Sequence, residues 1–163
     1  MTNTFKLIRR ACCVASLLTS FLSAEEETGK VPKVFGGGSI QEVFRVRLDK
    51  GDLLLESIMD IIRTHEIHDG AVFTAAGSLN ECTFHGVNST MTTVKEPMEL
   101  SNLGGIIADG QPHLHVVLST KARGAFGGHL ENGCSVLAHA ELTIVKFGGT
   151  PLARKQGGVL QKK

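Results

Sequence analysis

The chain has 163 residues, 42% hydrophobic and 5% aromatic, with no Trp or Tyr. That suffices for one domain with an adequate core, but leaves little aromatic surface for stacking on bases or sugars. Lys and Arg number 17 against 16 Asp and Glu, so there is no basic excess of the kind phosphate binding needs, and four cysteines are too few for a disulfide-built scaffold.

Residues 1–24 have the layout of a secretory signal peptide. Lys6, Arg9 and Arg10 precede an apolar run from Ala11 to Leu22, and Ser23-Ala24 offers a small-residue exit before Glu25-Glu26-Glu27. About 12 apolar residues are short for spanning a bilayer, so export to the periplasm or medium is expected, with no stable membrane anchor after cleavage. Three basic groups leave with that segment, and 14 then stand against 16 acidic ones. Residues 25–40, with Gly36-Gly37-Gly38-Ser39, are expected to be a flexible leader. At the other end, 149–163 hold Arg154-Lys155 and Lys162-Lys163 and are expected to be a basic, flexible tail.

Between them the chain alternates well enough from Glu42 to Leu48 for a first strand, with Val43 or Phe44 setting its inward face. Asp52 is a good N-cap, and Leu53, Leu54, Ile58, Ile61 and Ile62 predict a helix over 53–64. His65 and His68 crowd its end, where polar residues before a Gly are commoner than a metal site. Strands are then expected over 71–79 and from Glu81 to Asn88, the second carrying Cys82 and His85. His85 is expected in a core or surface role. A further strand over 98–107 carries Glu99 and a Gly104-Gly105 interruption suited to a bulge.

Asp109-Gly110 is a hairpin signal leading into Pro112-His113-Leu114-His115-Val116-Val117-Leu118. In a strand His113 and His115 emerge on one face while Leu114, Val116 and Leu118 take the other. A turn around Lys121 to Gly124 folds Gly127-Gly128-His129-Leu130 back and brings His129 within reach. Three neutral imidazoles from adjacent strands make a plausible shell for zinc, with a fourth position open, and Gly127 and Gly128 keep bulk away from the ion. In the last strand, Ser135 to Phe147, Val136, Ala138, Ala140, Leu142 and Ile144 share a face, and His139 and Glu141 form a surface or interface pair. Cys82 and Cys134 could pair in an oxidising compartment or be simply small buried residues. One helix and about six or seven short, mostly hairpin-linked strands predict an α+β fold with a mostly antiparallel sheet.

The run Gly51-Asp52, Ala76-Gly77-Ser78-Leu79, Met98-Glu99-Leu100, Leu103-Gly104-Gly105-Ile106, Asp109-Gly110, Pro112-His113-Leu114-His115, Gly127-Gly128-His129-Leu130 and Ala140-Glu141 resembles the PPC (plants and prokaryotes conserved) domain, stand-alone prokaryotic type, over residues 41–148. The resemblance implies a homotrimer and, from several prokaryotic relatives, a metal at His113, His115 and His129. Glu99 falls in a segment of the family pattern where a carboxylate near the ion would act as a base or orient a ligand, or make a trimer contact. Plant members join the domain to AT hooks, hence a DNA-binding label; this chain has no Arg-Gly-Arg core, and its leader departs from the usual family pattern. The expected function is therefore an exported homotrimer that binds a divalent ion, zinc by preference, and recognises a small ligand or protein partner. One alternative is a zinc-dependent hydrolase or lyase using metal-activated water. DNA binding is the disfavoured one.

Overall fold

The computed structural model describes residues 32–35, 37–149, 151–154 and 160–162. The expected signal peptide and half of the expected leader lie outside them. The chain runs β1 (Gly38–Asp49), α1 (Leu54–Thr64), β2 (Asp69–His85), β3 (Met91–Val94), β4 (Met98–Ala108), β5 (Gln111–Thr120), β6 (Gly124–Leu130), β7 (Ser135–Gly149), β8 (Leu152–Arg154) and β9 (Leu160–Lys162). The first seven strands form one sheet, ordered β1-β7-β2-β4-β5-β6 with β3 also on β2, and β8 pairs with β9. Every pairing is antiparallel. The expected α+β class with one helix holds.

The axis of the sheet is β2. It was expected as two strands broken near Leu79, yet Asp69–His85 is one strand of 17 residues. The apparent break is a set of register shifts against β7, between Val72/Thr74, Gly77/Leu79 and Leu79/Glu81, which bend the strand without ending it. Bent so, β2 pairs with β4 and β7 along its first part and with β3 and β6 at its end. Because β6 also pairs with β5, and β5 with β4, the strands β2, β4, β5 and β6 form a closed circuit. Its interior holds Leu79, Leu100, Leu103, Ile107, Leu114, Leu118 and Leu130, each 2% exposed or less.

The helix buries Leu54, Ile58 and Ile62, as its periodicity predicts, but Asp52 does not cap it. Leu53 is the N-cap without a side-chain bond, and the Asp52 carboxylate instead accepts from the Asp49 amide (2.8 Å) to close the preceding turn. The Leu54 amide donates to the Cys134 carbonyl (2.8 Å), so tertiary structure satisfies a group that a cap would otherwise serve. On β1 the inward residue is Phe44, whose ring meets His65 at 4.6 Å between centroids. In β8 the Leu152 amide donates to the Asp69 carboxylate (3.1 Å). Among the described residues no helix is long and apolar enough to cross a membrane.

Cys82 and Cys134 are joined by a disulfide, with both residues fully buried. It closes a loop of 52 residues between β2 and the start of β7. Replacing both by Ala is expected to lower unfolding stability by about 2–4 kcal/mol. A urea titration of the double variant beside the oxidised wild type checks this, and equal midpoints would remove the cross-link from the stability of the fold.

Candidate metal centre

The turn before β5 is built by Asp109 (φ 52°) and Gly110 (φ 72°), both left-handed, the arrangement that matches the twist of a tight hairpin. It sets the register of β5 on β4, opposing Ile106 to His113 and Gly104 to His115. On β5 Leu114, Val116 and Leu118 are buried, while His113, His115 and Val117 are exposed. The second hairpin pairs His115 with His129. All three expected ligands thus stand on the outer face of two adjacent strands.

Their geometry suits a small cation. His113 Nε2 and His115 Nε2 are 3.3 Å apart, and one nitrogen from each of the three rings lies within 4.8 Å of the others. Tetrahedral zinc at about 2.0–2.1 Å from each nitrogen needs them about 3.3–3.4 Å apart. One of the three edges between imidazole nitrogens is already formed, and the other two close with ring movements of about 1.5 Å or less. Among the described residues this is the group of His, Cys, Asp and Glu able to hold an ion.

The electrostatics favour the ligating form. Desolvation holds His129 below the usual imidazole value, with His113 and His85 adding to the effect and Glu131 opposing it. Desolvation, the Arg154 guanidinium and His115 lower His113 likewise. Folding therefore prefers these rings neutral, and the unfolded chain takes up their protons first. Stability of the metal-free domain is unaffected by these groups above about pH 6.5 and falls as acid carries the pH below that value toward the lowered folded-state values. Urea midpoints of metal-free protein between about pH 5 and 8 test the sign; a rise in stability on acidification would reverse it.

His85, expected in a core or surface role, is half-buried and stands beside a possible ligand without belonging to the group. At the end of β2 it pairs with His129 on β6, their ring centroids 4.6 Å apart. Its Nδ1 meets Glu131 Oε1 at 2.7 Å. Glu131 directly follows Gly-Gly-His-Leu and so was within sight, but placing His85 needs the pairing of β2 with β6, which no local pattern announces. Glu99 is not brought to the cluster: it opposes Ser119, four residues along β5 from His115, about 13 Å away. His139 and Glu141 oppose Asp49 and Arg47 on β1, in another part of the sheet. The glycines act differently from expectation. A Cβ on Gly127 would collide with the Val116 carbonyl, and one on Gly128 with the His85 carbonyl, so they admit neighbouring strands and not an ion.

The family model for the Plants and Prokaryotes Conserved (PCC) domain matches residues 35–148. Among curated proteins the chain is 27% identical over 114 residues to the bifunctional protein GlmU of a Synechococcus strain, a match covering 69% of this chain and 18% of that protein. The chain thus spans less than a fifth of that relative's length. Among solved structures it is similar to a Salmonella enterica protein (TM-score 0.72, 19% identity, 80% of this chain and 98% of that one). A metal-containing protein of Archaeoglobus fulgidus shares the fold (TM-score 0.64, 24% identity, 81% and 99%). So does a plant- and prokaryote-conserved protein of Pyrococcus horikoshii (TM-score 0.66, 24% identity, 80% and 97%).

Proposed function

The chain belongs to the Plants and Prokaryotes Conserved domain family, and on that premise we propose that it is an exported homotrimer holding a divalent ion, zinc by preference, on His113, His115 and His129, where it recognises a small ligand or protein partner. The observation that carries the metal reading is the 3.3 Å approach of two Nε2 atoms with a third imidazole beside them. Imidazole-only ligation suits zinc, and the metal-containing Archaeoglobus fulgidus protein of the same fold supports a bound metal without naming which. When bound, such an ion supplies Lewis acidity. The chain's own part is to hold His113 and His129 neutral and to turn the three rings toward one point, while Glu99 lies about 13 Å along the strand from His115.

Export rests on the order of residues 1–24 and gains support from the buried disulfide, a bond that persists in oxidising compartments. Self-assembly gains support from the outer face of the sheet. Register aligns Val43, Val145, Ala71, Ile106 and His113 in one row across five strands. Val43 is 52% and Ile106 42% exposed, with Phe73 nearby at 74%, apolar side chains that a second copy would cover. The acidic balance outside residues 1–24 gives DNA binding no support.

Equilibrium dialysis against zinc, followed by elemental analysis, tests the central reading. One ion per chain is expected at pH 7.5, with affinity falling below about pH 6 as the imidazoles take up protons. No uptake, or uptake independent of pH between about 5 and 8, overturns it.

A further inference from the structure

The β5–β6 ladder ends at His115 and His129. Two residues further His113 and Glu131 would face each other, but the strands part there and leave a cleft above α1. It is lined by Leu55 and Met59 of α1, by Gln111 and Pro112 of β5, and by His129, Glu131 and Asn132. Its volume of about 200 Å³ equals that of about seven waters, room for a short chain of atoms and no more.

The charges around it are polarised. On the far side of His113, the Arg154 guanidinium donates to the carbonyl of Ile106, the β4 partner of His113 (3.2 Å). With a divalent ion on three neutral imidazoles, that side attracts an anion. Across the cleft stands Glu131, which meets His85 through Oε1 and shows no further hydrogen bond through Oε2 among the described residues. The Glu131 carboxylate and the exposed amides of Gln111 and Asn132 give the cleft a polar rim, which suits an ammonium better than an aliphatic end.

We propose that this cleft receives the ammonium end of a short amine-bearing carboxylate whose carboxylate meets the bound ion. The inference rests on the metal reading above and names the ligand class of the same site. Glu131 is then the specificity-determining residue, and Met59 and Leu55 set the length of chain that fits.

The test is calorimetric titration of the zinc-loaded protein with 4-aminobutyrate and with butyrate, which share a head and differ in the amine. The expected result is at least about tenfold tighter binding of 4-aminobutyrate, the worth of one hydrogen bond to a charged group. Glu131→Gln is expected to abolish that preference while zinc affinity stays within about threefold of wild type, the carboxamide still accepting from His85. Equal binding of the two ligands by the wild type, a comparison that needs no variant, overturns the inference; so does an undiminished preference in Glu131→Gln. A protein that takes up no zinc refutes the metal reading first, whereas zinc uptake without amine preference refutes the cleft alone.

Discussion

Replacing His115 or His129 by Ala is expected to weaken zinc binding by more than about 100-fold while leaving the metal-free fold as stable as before. Both parts follow from where the rings stand. They project from the outer face, His115 exposed and His129 half-buried, while the core residues Leu114, Val116 and Leu130 of the same strands point inward. Truncating them opens no cavity, so the large-to-small penalty of core substitutions does not arise. Loss of a partner behind a metal ligand already costs about 10–100-fold, and loss of the ligand itself costs more. In a thermal or urea assay with zinc at about 100 times the wild-type Kd, the ion adds about 2.7 kcal/mol to wild-type stability. A variant weakened 100-fold keeps only about 0.4 kcal/mol of that. Zinc stabilisation undiminished in either variant would remove these histidines from the site. Loss of stability without metal would mean the rings serve the fold.

The local half of this architecture was legible. The period-2 alternation from His113 to Leu118, bounded by Asp109-Gly110, fixes a face and a hairpin within a few residues, and the structure follows it. The second hairpin places His129 by the same logic, since both its strands are neighbours in sequence. What was not legible depends on distant pairing. β3, Met91–Val94, is a short strand completed only by the end of β2. The Cys82–Cys134 pair spans 52 residues, and its meeting depends on β2 continuing past Leu79. The disorder of small and polar residues around Gly77-Ser78 looked like a strand end, because bulges take residues that also terminate strands. The neighbours of His85 were out of sight for the same reason: its own strand says only which face it takes, while His129 and Glu131 come from β6 and the residue after it, more than 40 residues later. Asp52 shows the converse, a strong local signal overruled because the Cys134 carbonyl already served the helix start.

Gly127→Ala is expected to destabilise the domain by about 2–5 kcal/mol and to impair zinc binding although no ligand is touched. Gly127 sits at φ +155°, and a Cβ there would collide with the Val116 carbonyl on the paired strand. Both obstacles are backbone, so no side chain can rotate away, and β6 must withdraw from β5 along its hydrogen-bonded edge. Overpacking of this kind costs about 1–3 kcal/mol, and backbone strain at an unfavourable φ adds about 1–2. The withdrawal acts where His129 is held opposite His115, two residues on, so the ligand set opens together with the ladder. Gly124→Ala on the same strand separates the two causes: its φ is +67°, but nothing lies within 4 Å of its would-be Cβ. It is expected to cost only about 1–2 kcal/mol of conformational penalty and to leave zinc affinity near wild type. Paired urea and zinc titrations of the two variants distinguish close strand approach from glycine's freedom as the requirement. If Gly127→Ala folds with wild-type stability and binds zinc unchanged, the β5–β6 spacing is not what sets the histidines.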